Sequence, residues 1–260
     1  MPTALVTGAT TGIGLAFAER LGSDGYDLVL VARGADRLDQ IAAGLRQRQG
    51  IEVEVLVADL SVATARLRVE QRLADLTRPI DLLVNNAGHG AGAAFLDAPM
   101  ESEDEMFEVN AHAVMRLTRA ALPAMVARRA GGVINVSSIA AWVPRGSYSA
   151  SKAYVLSLSR SAALEVAPYG VVVQALCPGM THTEFHARIR SDAERRIPGF
   201  LWLSADRVAA ESLAALAAGR TVCILSKRWR IIVALTRLVP TGLSVAIAKR
   251  GHGEGGQPKG

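Results

Sequence analysis

Short runs of apolar, mostly β-branched residues alternate along most of the chain with longer stretches whose apolar positions recur at helical spacing. The runs 3–7, 27–32, 51–57, 80–84, 132–137, 171–176 and 221–225 predict strands. The Ala-, Leu- and Arg-rich stretches 12–22, 35–49, 62–77, 101–129, 148–167 and 204–218 predict helices. The strand runs are apolar at nearly every position, not at every second one, so the sheet they form is covered on both faces, as parallel sheets are. Repeated strand–helix units with right-handed crossovers give an α/β fold, a doubly wound parallel sheet of about seven strands with helices on both faces. No Pro/Gly-rich linker and no internal repeat interrupts residues 3–225, which are expected to form a single domain.

Two segments break the pattern. Residues 179–203 follow a strand, contain Pro198 and mix Phe185, Phe200 and Trp202 with charges. Residues 226–250 are a basic, apolar extension in which Arg230, Arg237 and Pro240 interrupt the apolar runs, too broken to span a bilayer comfortably. The extension reads as a helix closing over a pocket or packing at a subunit interface, or as one lying peripherally on an anionic membrane surface. The closing residues 251–260 hold no core-forming side chain and are expected to be a disordered tail.

Composition narrows the function classes. Half of the 260 residues are hydrophobic and a fifth are charged, which supplies a core and excludes wholesale disorder and fibrous architectures. Cys177 and Cys223 are the two cysteines and form no Cys-x-x-Cys pair, which excludes a disulfide scaffold or a thiolate zinc site and suits a reducing cytoplasm. No charge-free apolar run reaches the roughly 18 residues of a transmembrane helix. The first residues enter a strand pattern without a charged leader, so a cytoplasmic chain is expected. The net charge of +5 is uneven, with −3 on residues 1–187 and +8 on residues 188–260. Nucleic-acid binders place such charge along a groove-reading element. Here it sits among long apolar runs, so an anionic ligand or surface is expected and a nucleic acid is not.

The first candidate site is TGATTGIG, Thr7–Gly14, between the first strand and the first helix. Gly8 allows a tight turn, Gly12 lets backbone approach a pyrophosphate, and Gly14 permits close packing of helix on sheet. The helix N-terminus turns free N–H groups and a positive dipole end toward phosphates, and Thr7, Thr10 and Ile13 belong to the same loop. A fold that selects NAD places a carboxylate at the end of the second strand to bond the ribose 2′-hydroxyl. This chain has Ala32 and then Arg33 there, with Arg37 a turn further on. A guanidinium holds a 2′-phosphate through charge-assisted, bidentate bonds, so NADP(H) is the expected cofactor.

The second candidate is YSASK, which puts Tyr148 and Lys152 on one face of a predicted helix. An ammonium beside a phenol favours the phenolate. Tyr148 is thereby placed to give or take the proton on a carbonyl or alcohol oxygen while hydride moves to or from carbon.

TGATTGIG, NNAG (Asn85–Gly88), Asn110, Ser137–Ser138, YSASK and CPGMTHT (Cys177–Thr183) occur in a fixed order. In these motifs the chain resembles the NADP-preferring branch of the short-chain dehydrogenase/reductase (SDR) family, from residue 3 to about residue 225. The resemblance implies a Rossmann-type sheet with NADP(H) across it. It implies that Asn86, Ala87 and Gly88 border the adenosine, and that Asp59, beside Leu60, contacts the adenine. Asn110 would hold a water of the proton relay, and Ser138 would orient the substrate oxygen. Lys152 would also bond the nicotinamide ribose, and Thr183, after Pro178 and Gly179, would touch the carboxamide. The loop from Ser138 to Tyr148 is a few residues shorter than in many relatives. Side chains alternate along a strand, so only one of Ser137 and Ser138 faces the substrate, and Ser138 is assigned that place. The family also implies a homodimer or homotetramer built on 101–129 and 148–167.

His182 and His186 flank Glu184, but HTEFH is not HExxH and has no evident third ligand, so no metal is expected. Trp142, Met180, Phe185, Phe200 and Trp202 follow strand ends, where a doubly wound sheet binds ligands; they line an apolar pocket or pack on the core. Taken together, these residues describe an NADP(H)-dependent oxidoreductase acting on a small, mostly apolar carbonyl or alcohol. The alternative is an NADPH-binding sensor or a membrane-surface interaction protein that uses the same fold without turnover.

Overall fold

Each central strand sends alternate side chains into two different helical layers, which is why its sequence is apolar throughout. In β1 (Thr3–Thr7) Ala4 and Val6 enter one core and Leu5 the other. In β2 (Asp27–Ala32) Leu28 and Leu30 join the first core and Val29 and Val31 the second. The computed structural model describes residues 1–90, 93–144, 146–183 and 198–238. Within them β3 (Val53–Val57), β4 (Leu82–Asn85), β5 (Gly132–Val136), β6 (Val172–Cys177) and a later strand, β9 (Val222–Ile224), complete a seven-stranded sheet of order β3-β2-β1-β4-β5-β6-β9. Every pairing in it is parallel. This is the doubly wound Rossmann-type sheet that the hydrophobic pattern predicts.

The first core packs α1 (Gly12–Ser23), α2 (Ala35–Gln49) and a late helix, α7 (Ala205–Ala217), on one face. Phe17 of α1 is its largest fully buried side chain. The second packs α3 (Ala63–Ala74), α5 (Val114–Arg128) and α6 (Gly146–Val166) on the other face. A polar stitch crosses this second layer. Asn85 Nδ2 donates to Asn135 Oδ1 at 2.8 Å and to Thr118 Oγ1 at 3.2 Å, and Asn135 Nδ2 donates to Ser159 Oγ at 3.0 Å. All four residues are buried, so removing one partner strands the others at a cost of about 1–3 kcal/mol.

Three elements differ from the sequence expectation. The stretch 101–129 is not one α-helix: α4 (Met100–Phe107) and α5 are joined by a π-helical turn, Glu108–Ala113. A wide turn of this kind inside a helix recurs at functional sites. The strand expected over 51–57 begins at Val53 and lies at the sheet edge with only Val53 buried, so coverage on both faces does not extend to it. A two-strand parallel ladder, β7 (Thr181–His182) with β8 (Leu203–Ser204), stands apart from the main sheet. Beyond β9 the chain turns through Ser226, at φ +63°, into α8 (Lys227–Leu238). Among the described residues no helix is long and apolar enough to cross a membrane. Residues 239–250 of the basic extension and the expected tail 251–260 lie outside the described residues.

Candidate active site

The strand order reverses between β1 and β4, and a doubly wound sheet opens its ligand crevice at that point. Thr7 ties the two walls together. Its Oγ1 donates to the Val84 carbonyl at 3.3 Å and accepts the N–H groups of Asn86 and Ala87 at 2.9 and 3.0 Å. Asn86 Nδ2 returns bonds to the carbonyls of Thr7 and Gly8 at 3.0 and 3.2 Å. Gly8 and Gly12 sit at φ +64° and +55°, the left-handed region that favours glycine. Helix α1 starts at Gly12, and Thr11 before it supplies no side-chain cap to the first-turn N–H groups. A pyrophosphate fits such an uncapped helix start beside a glycine turn.

A cleft of about 1310 Å³ follows this loop. Among the residues expected to bind cofactor or substrate, Gly8, Thr10, Gly12, Ile13, Arg33, Asp59, Leu60, Asn86, Ala87, Gly88, Ser138, Tyr148, Lys152, Pro178, Gly179 and Thr183 line it. Thr7, Gly14 and Asn110 are not among its lining residues. Just past β2, Arg33 Nη1 lies 3.3 Å from Glu105 Oε1 and 3.9 Å from Asp59 Oδ2. Burial alone would raise the Asp59 carboxyl, but the Ser61 hydroxyl and N–H, with the Arg33 charge, bring it below its ordinary value. Asp59 is thus an anion on the cleft wall, and Arg33 is the cation facing it.

Tyr148 and Lys152 share one face of the first turns of α6, with Lys152 Nζ 5.8 Å from the centre of the Tyr148 ring. Lys152 Nζ donates to the Val136 carbonyl at 3.0 Å, at the end of β5. Ser137 Oγ, buried, donates to the Lys152 carbonyl at 2.7 Å and so fastens α6 to β5. Ser138 is half-buried on the cleft wall, where its hydroxyl accepts the Ala140 N–H at 3.1 Å and caps a short 3-10 turn, Ile139–Trp142.

Asn110, in the π-turn, is gripped through its side chain. Its Oδ1 accepts the His89 N–H at 3.0 Å and its Nδ2 donates to the His89 carbonyl at 2.8 Å. Nδ2 also reaches Ser151 Oγ at 3.4 Å, and Ser151 Oγ donates to the Tyr148 carbonyl at 2.8 Å. A side chain on Gly88 would meet Asn110 Oδ1 at 2.7 Å, so glycine is what lets this segment close on the site. The grip by the His89 backbone left no trace in the sequence pattern, because main-chain groups are common to all residues.

Burial pushes the Lys152 ammonium down to about 8. Neighbouring Cys177 pulls the other way, but burial pushes its own thiol up to about 12 and it carries no charge near neutrality. The folded-state value lies below the ordinary 10.5, so between about 8 and 10.5 the unfolded chain holds a proton that the folded chain has lost. Stability therefore rises with pH across that window, and the cost of the buried charge is fully present below it. Lys152→Met removes this titration, so any stability it gains over wild type near neutrality is expected to fade toward the top of the window. Urea midpoints of both proteins across pH check this, and a gain independent of pH contradicts it.

The aromatic and thioether side chains divide. Met180 lines the cleft, whereas Trp202 stacks on His182 with ring centres 4.6 Å apart. Phe200 is exposed beneath Arg228, and Trp142 packs against the small cluster of Leu156, Ala175 and Cys177. Phe185, Glu184 and His186 lie outside the described residues. The apolar wall missed in this respect comes from α8, whose Trp229, Ile232, Val233 and Thr236 line the cleft.

Residues 2–194 match the family described as short chain dehydrogenase. A curated relative, dehydrogenase/reductase SDR family member 4 of Bos taurus, is 36% identical over 197 residues, covering 74% of this chain and 70% of the relative. A solved short-chain dehydrogenase from Sphingobium yanoikuyae, in complex with NADPH, superposes with a TM-score of 0.82 at 33% identity, covering 100% of this chain and 98% of its own. The bulky-bulky ketone specific alcohol dehydrogenase from Comamonas testosteroni gives a TM-score of 0.78 at 29% identity, covering 100% of this chain and 96% of its own.

Proposed function

The chain belongs to the short-chain dehydrogenase/reductase family, and on that premise we propose that it is an NADPH-dependent oxidoreductase. It reduces the carbonyl of a mostly apolar substrate, or oxidises the matching alcohol. The observation that carries this reading is the presence of Ser138, Tyr148 and Lys152 on the same cleft as the glycine loop and Arg33. NADPH, when bound, supplies the hydride that reaches the carbonyl carbon. Gly8, Gly12 and the start of α1 receive the pyrophosphate, and Arg33 binds the 2′-phosphate. Asp59, Leu60, Ala87 and Gly88 border the adenosine, while Pro178, Gly179 and Thr183 border the nicotinamide.

Ser138 orients the carbonyl oxygen and Tyr148 gives it a proton, so C=O becomes CH–OH. Lys152, held by Val136, keeps a positive charge beside the phenol. The Sphingobium relative, solved with NADPH, supports the cofactor, and the Comamonas relative supports a bulky ketone. An NADPH pool drives reduction, which sets the favoured direction. The outer faces of α5 and α6, with a groove lined by Met115, Leu122 and Leu158, are the surfaces for a homodimer or homotetramer.

The test is cofactor consumption by the pure protein over carbonyls graded by chain length and ring content, with NADH in parallel. Turnover with NADPH on an apolar subset is expected. Arg33→Ser should weaken NADPH binding roughly 10- to 100-fold, the worth of one or two charge-assisted bonds, and leave NADH binding unchanged. Tight NADPH binding with no turnover on any member of the panel would instead favour a cofactor sensor.

A further inference from the structure

Helix α8 leaves the sheet at the carboxyl end of β9, on the side where the cleft opens. Its inward positions are Trp229, Ile232, Val233 and Thr236, the i, i+3, i+4, i+7 stripe of a helix laid against a surface. Trp229 and Val233 are 7% and 4% exposed, while Ile231 and Leu235 on the opposite side are 60% and 57% exposed. The helix position is fixed at several points. Trp229 Nε1 donates to the Leu201 carbonyl at 3.0 Å, and Ser226 Oγ accepts the Trp229 N–H at 3.3 Å. The indole lies flush on Gly179, where a Cβ would come within 2.2 Å of Nε1. The 3-10 turn after Ser138 also packs against α8.

The polar hydrogens of this stripe are used within the protein. The indole N–H goes to Leu201, and Thr236 Oγ1 donates to the Val233 carbonyl at 2.8 Å. The wall therefore presents hydrocarbon and no free donor, with the Thr236 oxygen as its one remaining acceptor. Such a surface selects by size, at about 10- to 200-fold per methylene, and rejects a hydroxylated isostere only weakly.

We propose that α8 is the length gauge of the substrate compartment, with the stripe Trp229, Ile232, Val233 and Thr236 setting how long a hydrocarbon group the enzyme accepts beside the carbonyl. This rests on the carbonyl-reductase reading above. The substrate class is a carbonyl bearing an extended, uncharged hydrocarbon chain, and Trp229 is a positioning residue that holds the gauge on Gly179.

The experiment measures kcat/KM with NADPH for straight-chain methyl ketones of increasing length. Val233→Phe should lower the value for the longest accepted ketone by about tenfold or more while the shortest changes little, and Ile232→Ala should move the optimum to longer chains. Ile231→Ala and Leu235→Ala should leave the profile within about twofold, and NADPH affinity should hold in all four variants. Equal losses at every length, or equal shifts from the outer-face variants, would overturn the gauge. Ile232→Ala carries the test if Val233→Phe does not fold. Should the wild type reduce none of the ketones, the reductase reading is decided separately, on the wider carbonyl panel above. Calorimetric binding of the matching straight-chain alcohols to the NADP+-loaded protein then decides the gauge, by whether Ile232→Ala shifts the preferred length.

Discussion

Tyr148→Phe is expected to remove turnover while leaving the cofactor site intact. The substitution deletes one oxygen from a half-buried ring on the cleft wall. The Tyr148 carbonyl keeps its bond from Ser151, and Lys152 keeps its bond to Val136. What is lost is the proton that the reduced oxygen must receive. A positioned general acid contributes about 10²- to 10⁴-fold, so kcat should fall by that factor. NADPH affinity, measured by calorimetry, should stay near wild type, because the glycine loop and Arg33 are untouched. A variant that keeps near-wild-type kcat would show that another group delivers the proton, and the proposed mechanism would be wrong. Loss of NADPH binding together with kcat would place Tyr148 in the architecture of the site instead.

The apolar pattern carried the sheet well because burial on both faces is written into each central strand. Leu5 and Val6 serve opposite cores, so neither position tolerates a polar residue. The pattern weakens where one face is open, as along β3, whose Val57 is exposed at the sheet edge. The π-turn at Glu108–Ala113 was not legible for a different reason. One wider turn slips the register by a single residue, and the apolar periodicity of 101–129 runs through it without a Gly or Pro to mark the place. Pro123, which lies inside α5, marks no break at all.

At the site, cleft-lining side chains such as Arg33, Ser138, Tyr148 and Lys152 were visible in the sequence. Those that act through main-chain groups were not, as with the His89 grip on Asn110 and the Val136 carbonyl on Lys152. The two adjacent serines show the limit of strand alternation as an argument. Alternation separates their directions, but only the bond from Ser137 to the Lys152 carbonyl shows what the buried one is tied to. The stripe on α8 was readable as helical, yet its sequence could not say whether it met a cleft, a partner or a membrane. The contact with Gly179, distant in the chain, supplies that information.

Gly14→Ala should have a comparably large effect, on binding and stability together. Gly14 lies in the first turn of α1, and its backbone is not in the left-handed region, so the chain conformation itself accepts alanine. Space does not. The added Cβ would stand 2.2 Å from the Gly8 carbonyl oxygen and 2.4 Å from Asn86 Nδ2. Neither neighbour yields easily, because Asn86 Nδ2 is bonded to the carbonyls of Thr7, which ends β1, and of Gly8, which follows it. Relief requires α1 to move away from the crevice, and that displaces the N–H groups that meet the pyrophosphate. Overpacking of this kind costs about 1–3 kcal/mol, which should appear as a lower urea midpoint. Gly199→Ala is the control, since a Cβ there meets nothing within 4 Å and the residue is not at positive φ. It should change stability by less than about 0.5 kcal/mol. Wild type and Gly199→Ala should both show a melting temperature that rises with NADPH concentration, as a ligand binding only the folded state requires. Gly14→Ala should lose most of that rise. A full NADPH-dependent rise in Gly14→Ala would mean that the helix start does not hold the pyrophosphate, and the cofactor would have to lie elsewhere in the cleft.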